Sequence, residues 1–290
     1  MESKEAFQIK LKEFWPENAP DSSNVQKYIN KYKKDKIVIK CGGKVLIDPS
    51  LFNNFIEDLT ILYKLGLNII VVHGGGPRIK IELAKLNLES KFINGLRVTD
   101  KQTMEVVEKS LVEFNNEIVE KLRNKNCQAE GLNVSDNNVF IVEQESKDLG
   151  FVGSPKKVLN EKIENLVNNK VIPIVSPMGK DLTDQKYNIN ADTAASALAK
   201  SIKSRRLLLM TDVEGVLDEN KKLINEIKPN QAKELIEKNI VQGGMIPKLL
   251  NSINAVESGV KGVVIIDGRK VHSILYEIFS DEGAGTLIRK

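Results

Sequence analysis

The amino-acid sequence predicts an α/β fold: a three-layer αβα sandwich with a mainly parallel central sheet, arranged as two lobes. Short apolar runs rich in β-branched residues alternate with segments whose apolar residues recur at helical spacing. Such alternation is typical of a parallel sheet that helices cover on both faces. With 290 residues, the chain is long enough to bury about 75% of the surface that its unfolded form exposes.

The elements are predicted in chain order, beginning with a buried strand at Ile37–Ile39. A helix follows, marked by apolar residues at helical spacing and ended by a glycine: Leu51, Phe55, Leu59, Leu62 and Gly66. Further strands are predicted at Asn68–Val72, Val139–Val142, Val171–Val175, Leu207–Met210 and Val263–Ile266. Further helices are predicted near Thr103–Arg123, Pro155–Asn168, Ala194–Lys200, Gln231–Lys238 and Pro247–Glu257. Ser154 and Pro155 are typical of a helix start, as a cap before a first-turn proline.

Composition and charge narrow the functional classes. The chain has 43 basic and 39 acidic residues, and much of the basic excess lies in Lys27–Lys36, where a solvated helical face explains it. We expect no nucleic-acid partner, because no binding motif accompanies these lysines. No apolar run reaches the roughly 20 residues that cross a bilayer, and no signal peptide is present, which predicts a cytoplasmic protein without a membrane partner. Two cysteines make no disulfide framework, and two histidines argue against a histidine-built metal site.

Two glycine-rich segments follow predicted strands. Lys40 closes the first strand and precedes Gly42 and Gly43, whereas His73 precedes Gly74-Gly75-Gly76. Glycines let main-chain N–H groups approach an oxyanion, and a lysine at a strand's carboxyl end faces the crevice where open α/β sheets bind ligands. Each segment alone is equally compatible with a plain turn, and His73 is expected to be structural rather than a base. Neither segment is a Walker A loop, and the catalytic motif of protein kinases is absent.

The segment Asn94–Asp100 carries an arginine in a glycine-turned loop. Arg97 offers a planar fork of donors that suits a carboxylate or phosphate, although a lone surface arginine is usually solvated. Thr99 and Gln102 form the pattern of a capping box, which predicts the start of the next helix. The residue types alone leave both interpretations of Arg97 open.

The second half of the chain adds further charged side chains. Asp192 is either a cap for the helix after it or a site residue, and the two roles are compatible; Lys248 is either a helix-surface lysine or a phosphate ligand. Phosphoryl transfer mainly requires alignment and positive charge, so Lys40 and Lys248 together suit a moving phosphoryl group. The strand Leu207–Met210 leads into a polar, glycine-bearing turn.

Taken together and in this order, these segments resemble the amino acid kinase family. They are Lys40–Gly43, His73–Pro77, Asn94–Asp100, Asn188–Asp192 and Gly243–Lys248. The resemblance extends from about Ile37 to the C-terminus, and the Gly95–Thr99 run favours members that act on N-acetyl-L-glutamate. It implies ATP-dependent phosphorylation of the γ-carboxylate of N-acetyl-L-glutamate, the second step of arginine biosynthesis, with Mg²⁺ carried on the nucleotide. A carboxylate acceptor is already ionised at pH 7, so no general base is required.

The resemblance also implies a role for each candidate residue. Lys40 and Lys248 would stabilise the transferred phosphoryl group, and Asp192 would hold both lysines. The substrate-binding residues would be Gly75, Gly76, Arg97 and Asn188, with Asn190 as a weaker candidate. The nucleotide-binding residues would be Gly42, Gly43, Thr211, Asp212 and Gly244. The corresponding division of the chain is an N-terminal arm and helix (1–36), an amino-acid-substrate lobe (37–178) and a nucleotide-binding lobe (179–290).

Both chain ends resemble family members that arginine inhibits. In those members an N-terminal helix links dimers into a hexamer, and arginine binds between this helix and the C-terminal lobe. The implied arginine contacts are Tyr28, Lys203, His272, Glu277 and Gly283. Residues 1–24 are expected to be a mobile or partner-docked arm, and Val25–Lys36 a helix. A homodimer or a hexamer (a trimer of dimers), and a small nitrogen-regulatory protein as partner, are further implications.

Two alternatives remain open. The first is a related kinase that acts on another acid, such as carrier-linked aminoadipate. The second is a non-catalytic arginine-sensing module, against which the joint presence of Lys40, Asp192 and Lys248 argues. Cys41 stands where the family more often has tyrosine or leucine, and its position beside Lys40 predicts an effect on the pocket or sensitivity to thiol reagents.

Overall fold

The computed structural model describes residues 4–290, in which strands and helices alternate along most of the chain. The strands are β1 (Lys36–Cys41), β2 (Asn68–His73), β3 (Phe92–Ile93), β4 (Leu96–Arg97), β5 (Ala129–Leu132), β6 (Phe140–Gln144), β7 (Gly153–Val158), β8 (Ile172–Val175), β9 (Met178–Lys180), β10 (Lys186–Asn188), β11 (Arg206–Thr211), β12 (Glu226–Ile227), β13 (Val263–Asp267) and β14 (Gly285–Ile288). The helices are α1 (Lys4–Lys12), α2 (Val25–Tyr32), α3 (Pro49–Lys64), α4 (Gly76–Lys85), α5 (Lys101–Asn124), α6 (Asn160–Asn168), α7 (Ala191–Ser201), α8 (Pro229–Glu237), α9 (Met245–Glu257) and α10 (Ser273–Phe279).

An eight-stranded sheet forms the centre of the fold, in the order β12-β14-β13-β11-β1-β2-β8-β5. Its neighbouring strands are parallel except for β13 and β14, which are antiparallel. Successive residues of β1 enter two separate cores: Ile37, Ile39 and Cys41 pack with α3 and α10, and Val38 packs with α7 and α9. A core on each face of a mainly parallel sheet confirms the predicted three-layer sandwich.

The order of the strands places a crevice beside β1. The chain runs from β1 to its neighbour β2 and returns later as β11 on the other side of β1. The register pairs Lys40 with Val72 of β2 and with Leu209 of β11. Side chains and turns at the carboxyl ends of these strands therefore meet at the switch point where open α/β sheets bind ligands. We call this region the carboxyl edge.

Two smaller sheets lie outside the central one. Strands β10, β9, β6 and β7 form one of them, and β3 and β4 form a hairpin. The hairpin turns at Asn94 and Gly95, whose φ angles are 50° and 79°. This is the positive-φ pair that a two-residue hairpin turn requires, and Asn-Gly is the dipeptide most suited to it. The hairpin brings Phe92 directly opposite Arg97.

The predicted start of a helix at Ser154 and Pro155 is wrong. Residues Gly153–Val158 form strand β7, and helix α6 begins at Asn160. Strand β7 lies at the edge of its sheet, where a proline need not donate a hydrogen bond to a further strand. The Ser-Pro pair resembles a helix start locally, and pairing with β6 overrides it.

Other boundaries also differ from the predictions. The capping box at Thr99 is wrong: Asp100 caps α5, its carboxylate accepting from the N–H of Thr103 at 2.7 Å. The strand predicted at Val139–Val142 exists as β6 but belongs to the smaller sheet, whereas the central sheet gains β5, which the sequence did not predict. Strand β5 reads Ala-Glu-Gly-Leu and has no apolar run to identify it. Helix α2 ends at Tyr32, earlier than predicted.

The N-terminal arm packs against its own chain. Leu11 of α1 is buried, and the rings of Trp15 and Phe279 meet edge to face with centroids 5.4 Å apart. Residues 1–3 of the predicted arm lie outside the described residues. The division into lobes after residue 178 stays a prediction. Within residues 4–290, none of the helices has the length and apolar character needed to cross a bilayer.

Candidate active site

Two lysines from different elements share one carboxylate at the carboxyl edge. The Nζ of Lys40, near the end of β1, lies 2.9 Å from Asp192 Oδ1, and the Nζ of Lys248, in the first turns of α9, lies 2.5 Å from Oδ2. Both lysines are buried, with 8% and 9% of their surfaces exposed. The structure thus brings together all three residues predicted to be catalytic. We call them the lysine–aspartate cluster.

The electrostatics of the cluster keep its carboxylate ionised. Burial alone would raise the pKa of Asp192, but Lys40 and Lys248 outweigh this effect and hold that pKa well below its usual range. Burial and the nearby charge of Lys40 lower the pKa of Lys248, and Asp192 opposes this shift. Asp192 is the only carboxylate among residues 4–290 in ion-pair contact with these two ammonium groups, and Asp212 acts on Lys248 only at longer range, so the cluster suits an anionic phosphate group.

Of the two roles open to Asp192, the helix cap is not taken, because Asn190 caps α7. The Oδ1 of Asn190 accepts hydrogen bonds from the N–H groups of Asp192 at 3.0 Å and Thr193 at 3.1 Å. Asparagine and aspartate are equally good caps, so the sequence alone does not separate them. Because Asn190 caps α7, the carboxylate of Asp192 is left to bind the two lysines.

Glycines in the turn after β1 leave room for two charged side chains. A Cβ atom at Gly42 would lie 2.1 Å from Lys40 Nζ, and one at Gly43 would lie 2.2 Å from Asp212 Oδ1. Gly43 also has a φ of 64°, which side chains rarely allow. The same Asp212 oxygen accepts a hydrogen bond from the N–H of Lys44 at 2.7 Å. The turns after β1 and β11 are thus joined directly.

A cavity of about 230 Å³ opens at the carboxyl edge, and Lys40 is part of its lining. All four predicted substrate-binding residues line it, and so does the weaker candidate: Gly75, Gly76, Arg97, Asn188 and Asn190. The cavity walls come from the turns after β1 and β2, the β3–β4 hairpin and the segment before α7. Its size and mixed lining suit a small, polar organic ligand.

Arg97 presents a buried cation to this cavity. Only 7% of its surface is exposed, and its guanidinium donates to the carbonyl of Gly76 at 3.1 Å and to the hydroxyl of Ser90. The guanidinium carbon lies 4.8 Å from the centre of the Phe92 ring. No carboxylate among residues 4–290 pairs with Arg97, and burial lowers its pKa. A buried cation held only by neutral groups is well suited to an anionic ligand.

Asn188, the last residue of β10, also lines the cavity. Its main-chain N–H donates to the carbonyl of Phe151 at 2.9 Å, which fixes the end of β10. Its side-chain Nδ2 makes a long contact of 3.5 Å with the hydroxyl of Thr99. The carboxamide therefore stays available to a ligand that offers both a donor and an acceptor.

Of the five predicted nucleotide-binding residues, Gly42 and Gly43 line the 230 Å³ cavity, and the other three lie on a more open part of the carboxyl edge. Thr211 ends β11, Asp212 follows it, and both are partly exposed; Gly244 is exposed immediately before α9. None of these three residues lines the 230 Å³ cavity. In residues 4–290, no group of three or more histidine, cysteine, aspartate or glutamate side chains is arranged to hold a metal ion.

Sequence reasoning missed the residues that hold Arg97. Ser90 and Phe92 contact its guanidinium, and neither carries a local signal of a binding role. The Asn94-Gly95 turn does carry such a signal, because a two-residue hairpin places Phe92 opposite Arg97. Cys41 contributes nothing to the cavity: its side chain is buried in the other core, where burial raises the pKa of the thiol to about 12. Burial of this kind disfavours the predicted thiol sensitivity.

Three of the five predicted arginine contacts gather around α10. Tyr28 packs edge to face on Phe279 at 6.4 Å, and Glu277 Oε2 accepts from the N–H of Ala284 at 3.2 Å. A Cβ atom at Gly283 would lie 2.9 Å from the same oxygen, so Gly283 belongs to this group. His272 stands at the other end of α10, directly before Ser273, and its ring is bound to Asp58. No contact within residues 4–290 joins Lys203 to the group.

Comparisons with known proteins agree with this architecture. The model of the amino acid kinase family matches residues 35–267. The acetylglutamate kinase of Pelagibacter ubique (strain HTCC1062) is 51% identical over 275 residues, covering 95% of this chain and 96% of that protein. That of Clostridioides difficile (strain 630) is 44% identical over 268 residues, covering 91% and 94%. The solved structure of N-acetylglutamate synthase from Neisseria gonorrhoeae, complexed with coenzyme A and N-acetyl-glutamate, has a TM-score of 0.84 at 20% identity, covering 92% of this chain and 62% of that one. At this identity the likeness concerns the fold alone.

Proposed function

The chain belongs to the amino acid kinase family, and we propose that it transfers the γ-phosphoryl group of ATP to the γ-carboxylate of N-acetyl-L-glutamate. The products are N-acetyl-L-glutamyl 5-phosphate and ADP, as in the second step of arginine biosynthesis. One observation carries the proposal. The positively charged lysine–aspartate cluster borders a small cavity that also contains the buried, unpaired guanidinium of Arg97.

The acceptor has three groups that match the cavity lining. Arg97 is proposed to bind the α-carboxylate, since a guanidinium fork suits two carboxylate oxygens. Asn188 is proposed to bind the acetamido group, which offers a donor and an acceptor. The γ-carboxylate would then lie against the main-chain N–H groups of Gly75 and Gly76, near Lys40. This orientation places the only other anionic group of the acceptor beside the cluster.

The chemical step requires alignment and charge rather than a base. An oxygen of the ionised γ-carboxylate attacks the γ-phosphorus, and the bond from that phosphorus to the β–γ bridging oxygen breaks, releasing ADP. Lys40 and Lys248 stabilise negative charge on the phosphoryl group in transit, and Asp192 fixes the separation of the two lysines.

The nucleotide is proposed to bind on the open side of the carboxyl edge. The proposed contacts are Gly42, Gly43, Thr211, Asp212 and Gly244. The two turns that Asp212 and Lys44 join would border the phosphates. Mg²⁺ would arrive on the nucleotide, where phosphate oxygens and water supply its ligands.

The test is a hydroxylamine-trapping assay with ATP and Mg²⁺, because an acyl phosphate reacts with hydroxylamine to give a hydroxamate, which forms a coloured complex with ferric ion. Parallel reactions contain N-acetyl-L-glutamate, aspartate, free glutamate or no acceptor. We expect hydroxamate and ADP in equal amounts with N-acetyl-L-glutamate only. Turnover of aspartate alone would point to a different kinase. If the protein is folded and binds ATP but phosphorylates none of the acceptors, a non-catalytic module would be favoured.

We further propose that arginine inhibits the enzyme at the group around α10. Glu277 is buried, and its nearest cationic partner, Arg206, is only loosely placed, with Nε 4.0 Å from Oε1. Glu277 can therefore receive a second guanidinium, with Tyr28 and Gly283 beside it. The initial rate should fall as arginine rises into the millimolar range, and less so in a Glu277→Gln variant. A flat response in the unsubstituted protein would contradict the proposal.

Assembly into a homodimer, or into a hexamer through the N-terminal arm, is also proposed from the family resemblance, as is binding of a small nitrogen-regulatory protein. Light scattering coupled to gel filtration would give the oligomer number directly. A cytoplasmic location is consistent with two cysteines that are both free and buried.

A further inference from the structure

His73 is a buried titratable residue for which the proposed reaction has no direct use. It ends β2 immediately before Gly74, Gly75 and Gly76, the loop proposed to hold the acceptor carboxylate. His73 is completely buried and does not line the cavity. Both of its ring nitrogens are nevertheless engaged. Nδ1 lies 3.0 Å from the carbonyl oxygen of Gly74, and Nε2 lies 3.1 Å from Nδ2 of Asn115.

The contacts of Asn115 determine which nitrogen of His73 carries the proton. Asn115 Nδ2 also donates to the carbonyl of Ile174 at 2.8 Å, which orients its NH₂ group toward the imidazole. An amide NH₂ group is a donor only, so Nε2 must accept and the proton resides on Nδ1. Nδ1–H can then donate to Gly74. Burial lowers the pKa of His73 to about 4, so the ring is neutral at physiological pH.

The bond to Gly74 fixes the direction of the next main-chain N–H. A trans peptide is planar, and its C=O and N–H groups point in opposite directions. Because the carbonyl of Gly74 points toward the buried imidazole, the N–H of Gly75 points away from it. Gly75 lines the cavity, and its N–H has no acceptor within residues 4–290. The preceding peptide is fixed as well, since the N–H of Gly74 donates to the carbonyl of Cys41 at 2.8 Å.

No residue with a side chain fits at position 75, so a side chain there cannot replace the main-chain N–H as a ligand. A Cβ atom there would lie 2.5 Å from Leu111 of α5. The loop therefore has no side chain at this position with which to bind a ligand, and only the main-chain direction is adjustable. The His73–Asn115 pair is the part of the structure that sets that direction.

We propose that His73 and Asn115 are positioning residues: they hold the Gly74–Gly75 peptide so that the N–H of Gly75 faces the acceptor carboxylate. Neither residue touches the substrate, and both act through the main chain. The identity of the acceptor rests on the proposed function above. The orientation of the Gly74–Gly75 peptide and the tautomer of His73 are independent of the proposed function.

The kinetic test compares two substitutions of one residue. His73→Leu removes the donor to Gly74, and His73→Asn retains one, because its Nδ2 can occupy the place of the imidazole Nδ1. We expect kcat with N-acetyl-L-glutamate to fall at least about tenfold in His73→Leu. Removing an oxyanion donor outright costs about 10²- to 10³-fold, and this substitution only releases the direction of the donor. The KM for ATP should change little. His73→Asn should regain most of the lost kcat.

Phe114→Leu is the matched control for packing. The rings of Phe114 and His73 meet edge to face at 5.3 Å, so this substitution disturbs the surroundings of His73 but not its hydrogen bond to Gly74. We expect an unchanged kcat in this variant. An equal loss of kcat in Phe114→Leu and His73→Leu, or a folded His73→Asn variant as impaired as His73→Leu, would overturn the proposal.

The spectroscopic test requires neither turnover nor a variant that folds poorly. The chain has only two histidines, so ¹⁵N-histidine labelling gives two sets of ring signals. A His272→Gln sample assigns them. We expect His73 to be the Nδ1–H tautomer and to remain neutral down to about pH 5. Finding the Nε2–H tautomer would overturn the proposal even if the kinase reaction is confirmed. If the protein phosphorylates no acceptor, the proposed function fails, but the ring signals still show which nitrogen of His73 carries the proton.

Discussion

Two buried carboxylates, in different parts of the molecule, are paired with cations in contrasting ways. Asp192 at the carboxyl edge faces two lysines, which hold its pKa well below the usual range in spite of its burial. Asp58 of α3 faces only His272, at 2.6 Å, and burial raises the pKa of Asp58 to about 6. The first site has more cationic charge than its carboxylate can balance, whereas the second is balanced within the fold.

The contrast separates a ligand site from a structural pair. Excess positive charge is costly to bury unless an anion completes it, and at the carboxyl edge both the lysine–aspartate cluster and Arg97 lack such an anion. The Asp58–His272 pair needs no further partner, and its two side chains are among the least exposed charged groups, at 4% and 6%. Charge imbalance in a buried site, rather than the presence of an ion pair, therefore indicates where substrates bind.

The largest effect is expected from removing a lysine of the cluster. Lys40→Met should lower kcat by about 10²- to 10³-fold, because one charge that stabilises the moving phosphoryl group is lost. Stopped assays of ADP release measure the effect. Lys109→Met, at a lysine whose side chain is 75% exposed on α5, is the matched control and should retain full activity. Equal activity in both variants would remove the cluster from the mechanism.

The next largest effect is expected from substituting Arg97, which should change the KM for N-acetyl-L-glutamate. Arg97→Lys keeps the charge but removes the planar fork, so the KM for N-acetyl-L-glutamate should rise about tenfold to a hundredfold with a smaller change in kcat. Ser90→Ala, which removes only one neutral acceptor from the guanidinium, should raise this KM about threefold. Steady-state kinetics at saturating ATP give both values. An unchanged KM in Arg97→Lys would show that the α-carboxylate binds elsewhere.

The Asp58–His272 pair should affect the pH dependence of the free energy of unfolding rather than the kinetics. The hydrogen bond that His272 donates to the carboxylate of Asp58 raises the pKa of His272, so the folded protein binds this proton more tightly than the unfolded chain does. The free energy of unfolding should accordingly decrease as pH rises above 6.5, through the raised pKa of His272. Urea denaturation between pH 6.5 and pH 9 measures it. The lowered pKa of His73 acts in the opposite sense, but only up to about pH 7.5, above which the unfolded chain no longer binds that proton either.

Asp58→Asn supplies the comparison for that experiment. An asparagine cannot hold the imidazolium by charge, so the decline in stability above pH 6.5 should be shallower than in the unsubstituted protein. Parallel declines in the two proteins would mean that the pair is not the source of the pH dependence.

The smallest effect is expected at Cys41. Although it adjoins Lys40 in the sequence, its thiol lies in the core on the other face of the sheet and has a pKa raised to about 12 by burial. Iodoacetamide at pH 7.5 should leave the native enzyme active, while both cysteines react in urea. Rapid inactivation of the native enzyme with labelling at Cys41 would contradict this expectation.

Much of the central sheet could be predicted from the sequence, for a physical reason. Strands covered on both faces, such as Leu207–Met210 and Val263–Ile266, are continuous apolar runs that no surface segment resembles. Two strands that the sequence missed or took for a helix, β5 and β7, lie at sheet edges. β5 has a glutamate and a glycine, and β7 has a proline, because neither strand has neighbours on both sides.

The candidate site divides in the same way. Glycine-rich turns and strand-end lysines leave a local pattern, so the sequence identified the residues that the structure brings to one cavity and one cluster. The supporting residues leave no such pattern. Asn115 reaches His73 across 42 positions of the chain, and the role of Ser90 depends on a hairpin that folds Arg97 back onto it. Such contacts are set by tertiary packing.

The measurement that tests the central claim most directly is the initial rate of hydroxamate formation from N-acetyl-L-glutamate by the unsubstituted protein and by Lys40→Met. If the excess positive charge at the carboxyl edge drives phosphoryl transfer, the unsubstituted protein forms hydroxamate and the variant retains about 1% of that rate or less. Equal rates in the two proteins, or no hydroxamate from folded, ATP-binding unsubstituted protein, would contradict the account.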